Sequence, residues 1–166
     1  MNKKAFRKLS YGVYIVSTWD EGRATGCTAN SIMQITSDPA TIAISINNDN
    51  YTKKCIEDTG SFAVSILSEK SDPMIIGHFG FKSGKDINKF DDVDNELHGY
   101  LPIVKDSCAY ITAKVVDKME TSTHTVFLGE VTDADILSND KQMTYEYYHT
   151  VIKGTSPKNA PTFIEE

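Results

Sequence analysis

The stretch Thr41-Ile42-Ala43-Ile44-Ser45-Ile46-Asn47 decides the fold. Its side chains alternate, with Ile42, Ile44 and Ile46 on one face and Ala43, Ser45 and Asn47 on the other, as in a strand with one buried face. Working outward, Ser37-Asp38-Pro39 breaks the chain before it and Asn48-Asp49-Asn50 after it. Upstream, the β-branched and aromatic run 11–19 predicts a strand, 20–23 a tight turn and 24–36 a second strand. Residues 3–9 suit a short helix. Downstream, a helix is expected from Tyr51 to Gly60, capped by the polar turn before it. Residues 62–67 read as a strand and 72–79 as a short helix. Residues 80–100, rich in Gly, Lys, Asp and Asn, read as a long functional loop. Residues 108–118 and 125–134 predict two long strands joined by a hairpin at 119–123, and residues 145–153 a last short helix. The expected domain spans residues 1–153, and residues 154–166 are a C-terminal tail without a core pattern. Short strands with interposed helices suit a mainly β antiparallel barrel with capping helices. The βαβ alternation of a doubly wound sheet is absent, as are GxGxxG and Walker motifs.

The 166 residues suffice for one core, and 40% hydrophobic and 24% charged residues are ordinary for a globular protein. A formal net charge of −6 argues against nucleic acid as a partner. No apolar run reaches the roughly 20 residues of a membrane helix, and no signal segment follows the basic first residues, so a cytoplasmic protein is expected. Cys27, Cys55 and Cys108 lack CxxC spacing, which points to reduced, packed thiols and to no metal site.

Several segments could carry chemistry. Gly26-Cys27-Thr28-Ala29-Asn30-Ser31 combines small residues with hydroxyl and amide groups, which would let a flat ring approach the backbone; a solvated strand face is the alternative. Asn47, Asn50, Tyr51, Thr52 and Lys53 surround a helix start, whose free N–H groups and dipole suit a phosphate; an ordinary capped helix is the alternative. The 79–90 stretch mixes Phe81 and Phe90 with Lys82, Lys85 and Lys89, as a cofactor cover and phosphate contacts, or as a solvated loop anchored by its aromatics. His124, at a strand start, could contact a ring or a nicotinamide or move a proton, with a satisfied surface or edge histidine as the alternative; His149 raises the same question. No nucleophile–base order and no metal-spaced cluster emerges, which suits an enzyme whose cofactor carries the chemistry.

Six of these stretches occur in the order of one family. Ser10–Val16, Gly26–Ser31, Asn47–Thr52, Phe79–Phe90, Thr123–Glu130 and Thr144–His149 together resemble the flavin reductase-like, FMN-binding split-barrel proteins. The likeness is nearest to the branch of archaeal ferric reductases, flavoredoxins and the flavin domain of high-molecular-weight rubredoxins. The resemblance implies a six-stranded antiparallel Greek-key split barrel, a homodimer, and FMN at the subunit interface. It places Cys27, Thr28, Ala29, Asn30 and Ser31 along the ring and ribityl chain, Asn47, Asn50, Tyr51 and Thr52 near the phosphate, and Phe81, Lys85, Lys89, Phe90, His124 and His149 at the borders of the site. The implied activity is electron transfer from NAD(P)H through bound FMN to a flavin, ferric or protein acceptor. An FMN electron carrier serving rubredoxin or a flavodiiron protein, and a non-enzymatic FMN- or heme-binding barrel, are the alternatives. The paired CxxC motifs of a rubredoxin are not in this sequence, so iron–sulfur electron exit within the chain is not expected. The 82–89 loop carries lysine where relatives carry arginine, which leaves NADH and NADPH open.

Overall fold

The computed structural model describes residues 1–163. After a 3₁₀ turn at Lys3–Lys8, the chain forms β1 (Tyr14–Asp20), β2 (Arg23–Ala29), β3 (Ile32–Ser37), β4 (Ala40–Asn47), α1 (Tyr51–Thr59), β5 (Ser61–Ile66) and α2 (Pro73–Phe81). It continues with β6 (Asn95–His98), β7 (Leu101–Val104), β8 (Ala109–Glu120), β9 (His124–Ile136) and α3 (Tyr145–Thr150). The main sheet runs β2-β1-β5-β8-β9-β4-β3 with every pairing antiparallel. Its two edge strands, β2 and β3, are joined only by Asn30 and Ser31. A sheet whose opposite edges are held that close must roll up, so the architecture is the expected antiparallel barrel, split at the seam between β2 and β3.

The seam corrects the sequence reading twice. The single strand expected over 24–36 is two strands, because the chain leaves one sheet edge at Ala29 and joins the other at Ile32. The sheet therefore has seven strands where six were expected. The Ser45 N–H donates to the Ser31 carbonyl at 3.1 Å, so pairing resumes at once. The long loop expected over 80–100 also holds a strand, β6, paired with β7 through a turn at Gly99 (φ 51°) and Tyr100 (φ 60°). Two successive positive φ values are the geometry of a tight primed hairpin turn, which Gly-Tyr does not announce as Asn-Gly would.

The barrel interior is filled by Val16, Ile44, Phe62, Val64 and Phe127, with Ile56 of α1 packed against them. Ile42, Ile44 and Ile46 are all buried, as their alternation requires. A second cluster lies under α2 and α3, where Val13, Leu67, Ile76, Phe79, Phe90 and Met143 meet. α1 is capped as the sequence predicts. Asn50 Oδ1 accepts from the Thr52 N–H at 3.0 Å, and Gly60, at φ 68°, donates to the Ile56 carbonyl. α2 starts at an Asp72 cap followed by Pro73.

Asp20 staples three elements. Its Oδ2 accepts from Arg23 Nη2 at 2.7 Å and from the Tyr51 hydroxyl at 3.0 Å, and the same Arg23 nitrogen donates to the Gly84 carbonyl at 2.8 Å. The Arg23 guanidinium holds the Asp20 carboxyl below its usual range, and Lys53 and Lys118 do the same for Glu57. A carboxyl with a lowered folded pKa contributes stability above its unfolded value, about pH 4, that is lost as pH falls through the folded value. Urea midpoints measured from pH 5 down to pH 2 should therefore fall steeply, and less so in Asp20→Asn. Equal slopes for the two proteins would mean the staple contributes nothing.

Candidate active site

The seam opens into a cleft. Cys27, Thr28, Ala29 and Asn30 form one side, and Ser45, Ile46, Asn47 and Asn50 the other. Val13, Ile76, Gly80, Phe81, Tyr145 and Tyr148 close it from α2, α3 and the residue before β1, and residues 155–157 and 159–161 lie along the rest. The space enclosed in the cleft is about 120 Å³, and its mouth is open to solvent. Its walls are largely apolar; its polar side chains lie at Thr28 and Asn30, at Ser45, Asn47 and Asn50 where β4 ends and α1 begins, and at Thr155, Ser156 and Asn159.

Local folding explains each wall. β2 runs along β1 so tightly that a Cβ on Gly26 would lie 2.4 Å from the Val16 carbonyl oxygen. Thr28 Oγ1 donates to the Ile76 carbonyl at 2.8 Å and ties β2 to α2. Asn50 spends its side-chain oxygen on the α1 cap, which leaves its NH₂ for a ligand. The Asn30 amide, expected along the ring, and the Asn47 amide, expected near the phosphate, are engaged otherwise. Asn30 Nδ2 donates to Thr162 Oγ1 at 2.8 Å, and Asn47 Nδ2 donates to the Asn159 carbonyl at 3.2 Å.

Other residues singled out from the sequence stand outside the cleft lining. Lys89 is buried, its Nζ donating to the Gly26 carbonyl at 2.7 Å and the Phe79 carbonyl at 2.9 Å, so it clamps β2 to the end of α2. Burial pushes its pKa down. Phe90 belongs to the core beside Phe79. Lys85 is exposed, Tyr51 serves Asp20, Thr52 is buried in the first turn of α1, and Ser31 Oγ donates to Asn30 Oδ1. His149 pairs with the Gly154 carbonyl through Nδ1. His124 lies directly across the ladder from Asn47. Its Nε2 is buried without a partner, one of two such side-chain atoms among the described residues, the other being Thr25 Oγ1.

Burial raises the pKa of all three thiols, that of Cys55 to about 11. Neutral, enclosed thiols are packing groups, in keeping with their spacing. Among the described residues no group of three or more His, Cys, Asp or Glu side chains could hold a metal ion, and no helix is long and apolar enough to cross a membrane.

The flavin reductase like domain family matches residues 6–156. The chain belongs to that family. The protein is therefore a flavin-dependent oxidoreductase that moves electrons. Among relatives, the high molecular weight rubredoxin of Moorella thermoacetica is 44% identical across 98% of this chain and 72% of its own length. The ferric-chelate reductase (NAD(P)H) of Archaeoglobus fulgidus is 38% identical across 99% of both chains. The NADH:FAD oxidoreductase SgcE6 of Streptomyces globisporus superposes with a TM-score of 0.78 at 25% identity, covering 86% of this chain and 85% of that one.

Sequence reasoning missed two parts of the site. Tyr145 and Tyr148 sit three residues apart on one face of α3, a spacing visible in the sequence but masked by the shortness of the helix. The residues after Gly154 carry no periodicity, because they cross a cleft and do not pack a core.

Proposed function

We propose that this flavin oxidoreductase holds FMN in the seam cleft, takes electrons from NAD(P)H, and delivers them to a ferric or protein acceptor. The observation that carries this reading is the cleft itself: an apolar slot that ends at the capped N-terminus of α1. The residues fit FMN. Val13, Ile46, Ile76 and Tyr148 offer apolar surface to a planar ring and exclude water. Thr28, Ala29 and Gly80 keep the walls thin enough for close approach. The N-terminus of α1 offers a phosphate its partial positive charge, with the Asn50 amide beside it, while the Thr52 N–H is already held by the Asn50 cap. No lysine lines the cleft, so backbone, amide and hydroxyl donors carry phosphate binding, and Lys89 positions Gly26 and Phe79 from behind.

When bound, FMN supplies hydride acceptance from a nicotinamide and electron release to the acceptor. His124 is the proposed polar contact on the nicotinamide side, because it lies across the ladder from Asn47 of the cleft wall and its buried Nε2 has no partner among the described residues, so a small shift of the ring would let it bond a carboxamide. His124→Ala should slow flavin reduction by about tenfold through lost positioning, while FMN affinity is unchanged. An unchanged reduction rate removes the role.

The test is anaerobic mixing of the FMN-loaded protein with NADH and with NADPH, followed at the flavin band. Rapid bleaching by either supports the reductase. A flat trace over minutes supports a second reading, a carrier loaded by a separate reductase. The 44% identity to a high molecular weight rubredoxin favours that alternative.

The partner most supported by the surface is a second copy. Met33 and Ile35 project from the edge strand β3 at 63% and 46% exposure, and Val116 and Met119 stand exposed on β8. Apolar side chains on an unpaired edge invite burial. Light scattering should give a dimer that Met33→Lys with Ile35→Lys converts to monomer; a wild-type monomer would contradict it. Free buried thiols favour a reducing, cytoplasmic setting.

A further inference from the structure

We propose that residues 154–163 form a strap that closes the cleft and retains FMN through turnover, so that the flavin is a prosthetic group and not a released product. This rests on reading the cleft as the FMN site. The strap is built into the fold at both ends. At its start, a Cβ on Gly154 would lie 2.0 Å from Tyr148 Cζ, so only glycine lets the chain cross that ring. The Tyr148 hydroxyl donates to the Thr155 carbonyl at 3.0 Å, and Ser156 shares a hydrogen bond with Tyr145. At its far end, Thr162 accepts from Asn30 at 2.8 Å and donates to the Tyr145 hydroxyl at 3.1 Å. Between them, Asn47 holds the Asn159 carbonyl.

These ties run from α3 to both sides of the seam, so the segment spans the mouth. Pro157 and Pro161 restrict its backbone and lower the cost of ordering it. With the segment in place the cleft encloses about 120 Å³, below the roughly 300–1,000 Å³ of ligand pockets, so the segment lifts to admit FMN and then lies over it. A flavin seated there can leave only after the ties to Asn30, Asn47 and Tyr148 open. Electrons therefore leave by transfer to an acceptor at the remaining opening.

The experiment compares the full chain, a chain ended after Lys153, and Thr162→Val, each loaded with FMN. FMN release after dilution is followed by flavin fluorescence, and folding by circular dichroism. Release should be about tenfold or more faster from the shortened chain, and several-fold faster from Thr162→Val. A shortened chain that folds, binds FMN and releases it at the full chain's rate overturns the strap, as does one that binds FMN more tightly, which would make the segment a plug. If the shortened chain does not fold, Thr162→Val decides, and an unchanged rate overturns the proposal. A full chain that binds no FMN refutes the functional reading instead.

Discussion

Gly80→Phe should give a folded, colourless protein. A Cβ at Gly80 would meet only Thr28 Cβ and Oγ1, both at 3.5 Å, which is ordinary contact. The backbone of α2 therefore needs no shift, and phenylalanine is a better helix residue than glycine. Because Gly80 lines the cleft, the new ring has little other space to occupy. FMN affinity should fall by about a hundredfold or more, roughly 2.7 kcal/mol, with a thermal midpoint close to that of the parent. Fluorescence titration with FMN checks the first and circular dichroism the second. Full affinity in a folded Gly80→Phe protein would move the flavin elsewhere.

The second large effect is on the barrel. Phe62 is fully buried in the interior, where its ring lies against the strand opposite; a Cβ on Gly129 would come within 2.7 Å of Phe62 Cζ and 2.8 Å of Ala113 Cβ. Glycine at 129 therefore accommodates the phenylalanine at 62. Phe62→Ala should cost about 3–5 kcal/mol, a large share of the roughly 5–15 kcal/mol that holds a domain together. Gly129→Ala alone should cost about 1–3 kcal/mol by overpacking. Combining Gly129→Ala with Phe62→Leu should cost less than the sum of the two, since a smaller side chain makes room for the methyl. Urea unfolding of the four proteins checks this, and strict additivity would mean that the two positions do not share space.

The legible parts of the chain were those governed by a strong local rule. Ile42, Ile44 and Ile46 alternate because one face of β4 is buried, and the barrel follows from such strands. Asn50 and Gly60 bracket α1 because helix ends need those residue types. The strand 24–36 could not be divided from sequence, because the cause of its break, the passage from one sheet edge to the other, is tertiary. β6 escaped because Asn-Glu-Leu-His carries one apolar residue and is held by its partner β7.

The site was legible in a similar way. Thr28, Ala29, Asn30, Asn47 and Asn50 line the cleft, where small and polar residues at strand ends were expected, and Phe81, read as an aromatic cover, lines it from the end of α2. Lys89 reads as a surface phosphate ligand by type, yet its loop folds it inward to two carbonyls, a destination set by packing alone. The segment after Gly154 was read as a tail because hydrogen bonds to side chains far away in sequence leave no local pattern.

Calorimetric titration of flavin-free full-length protein with FMN tests the central claim most directly. The cleft predicts saturation at one FMN per chain, with the oxidised flavin absorption bands retained after gel filtration. No heat, and a colourless protein peak, would contradict it.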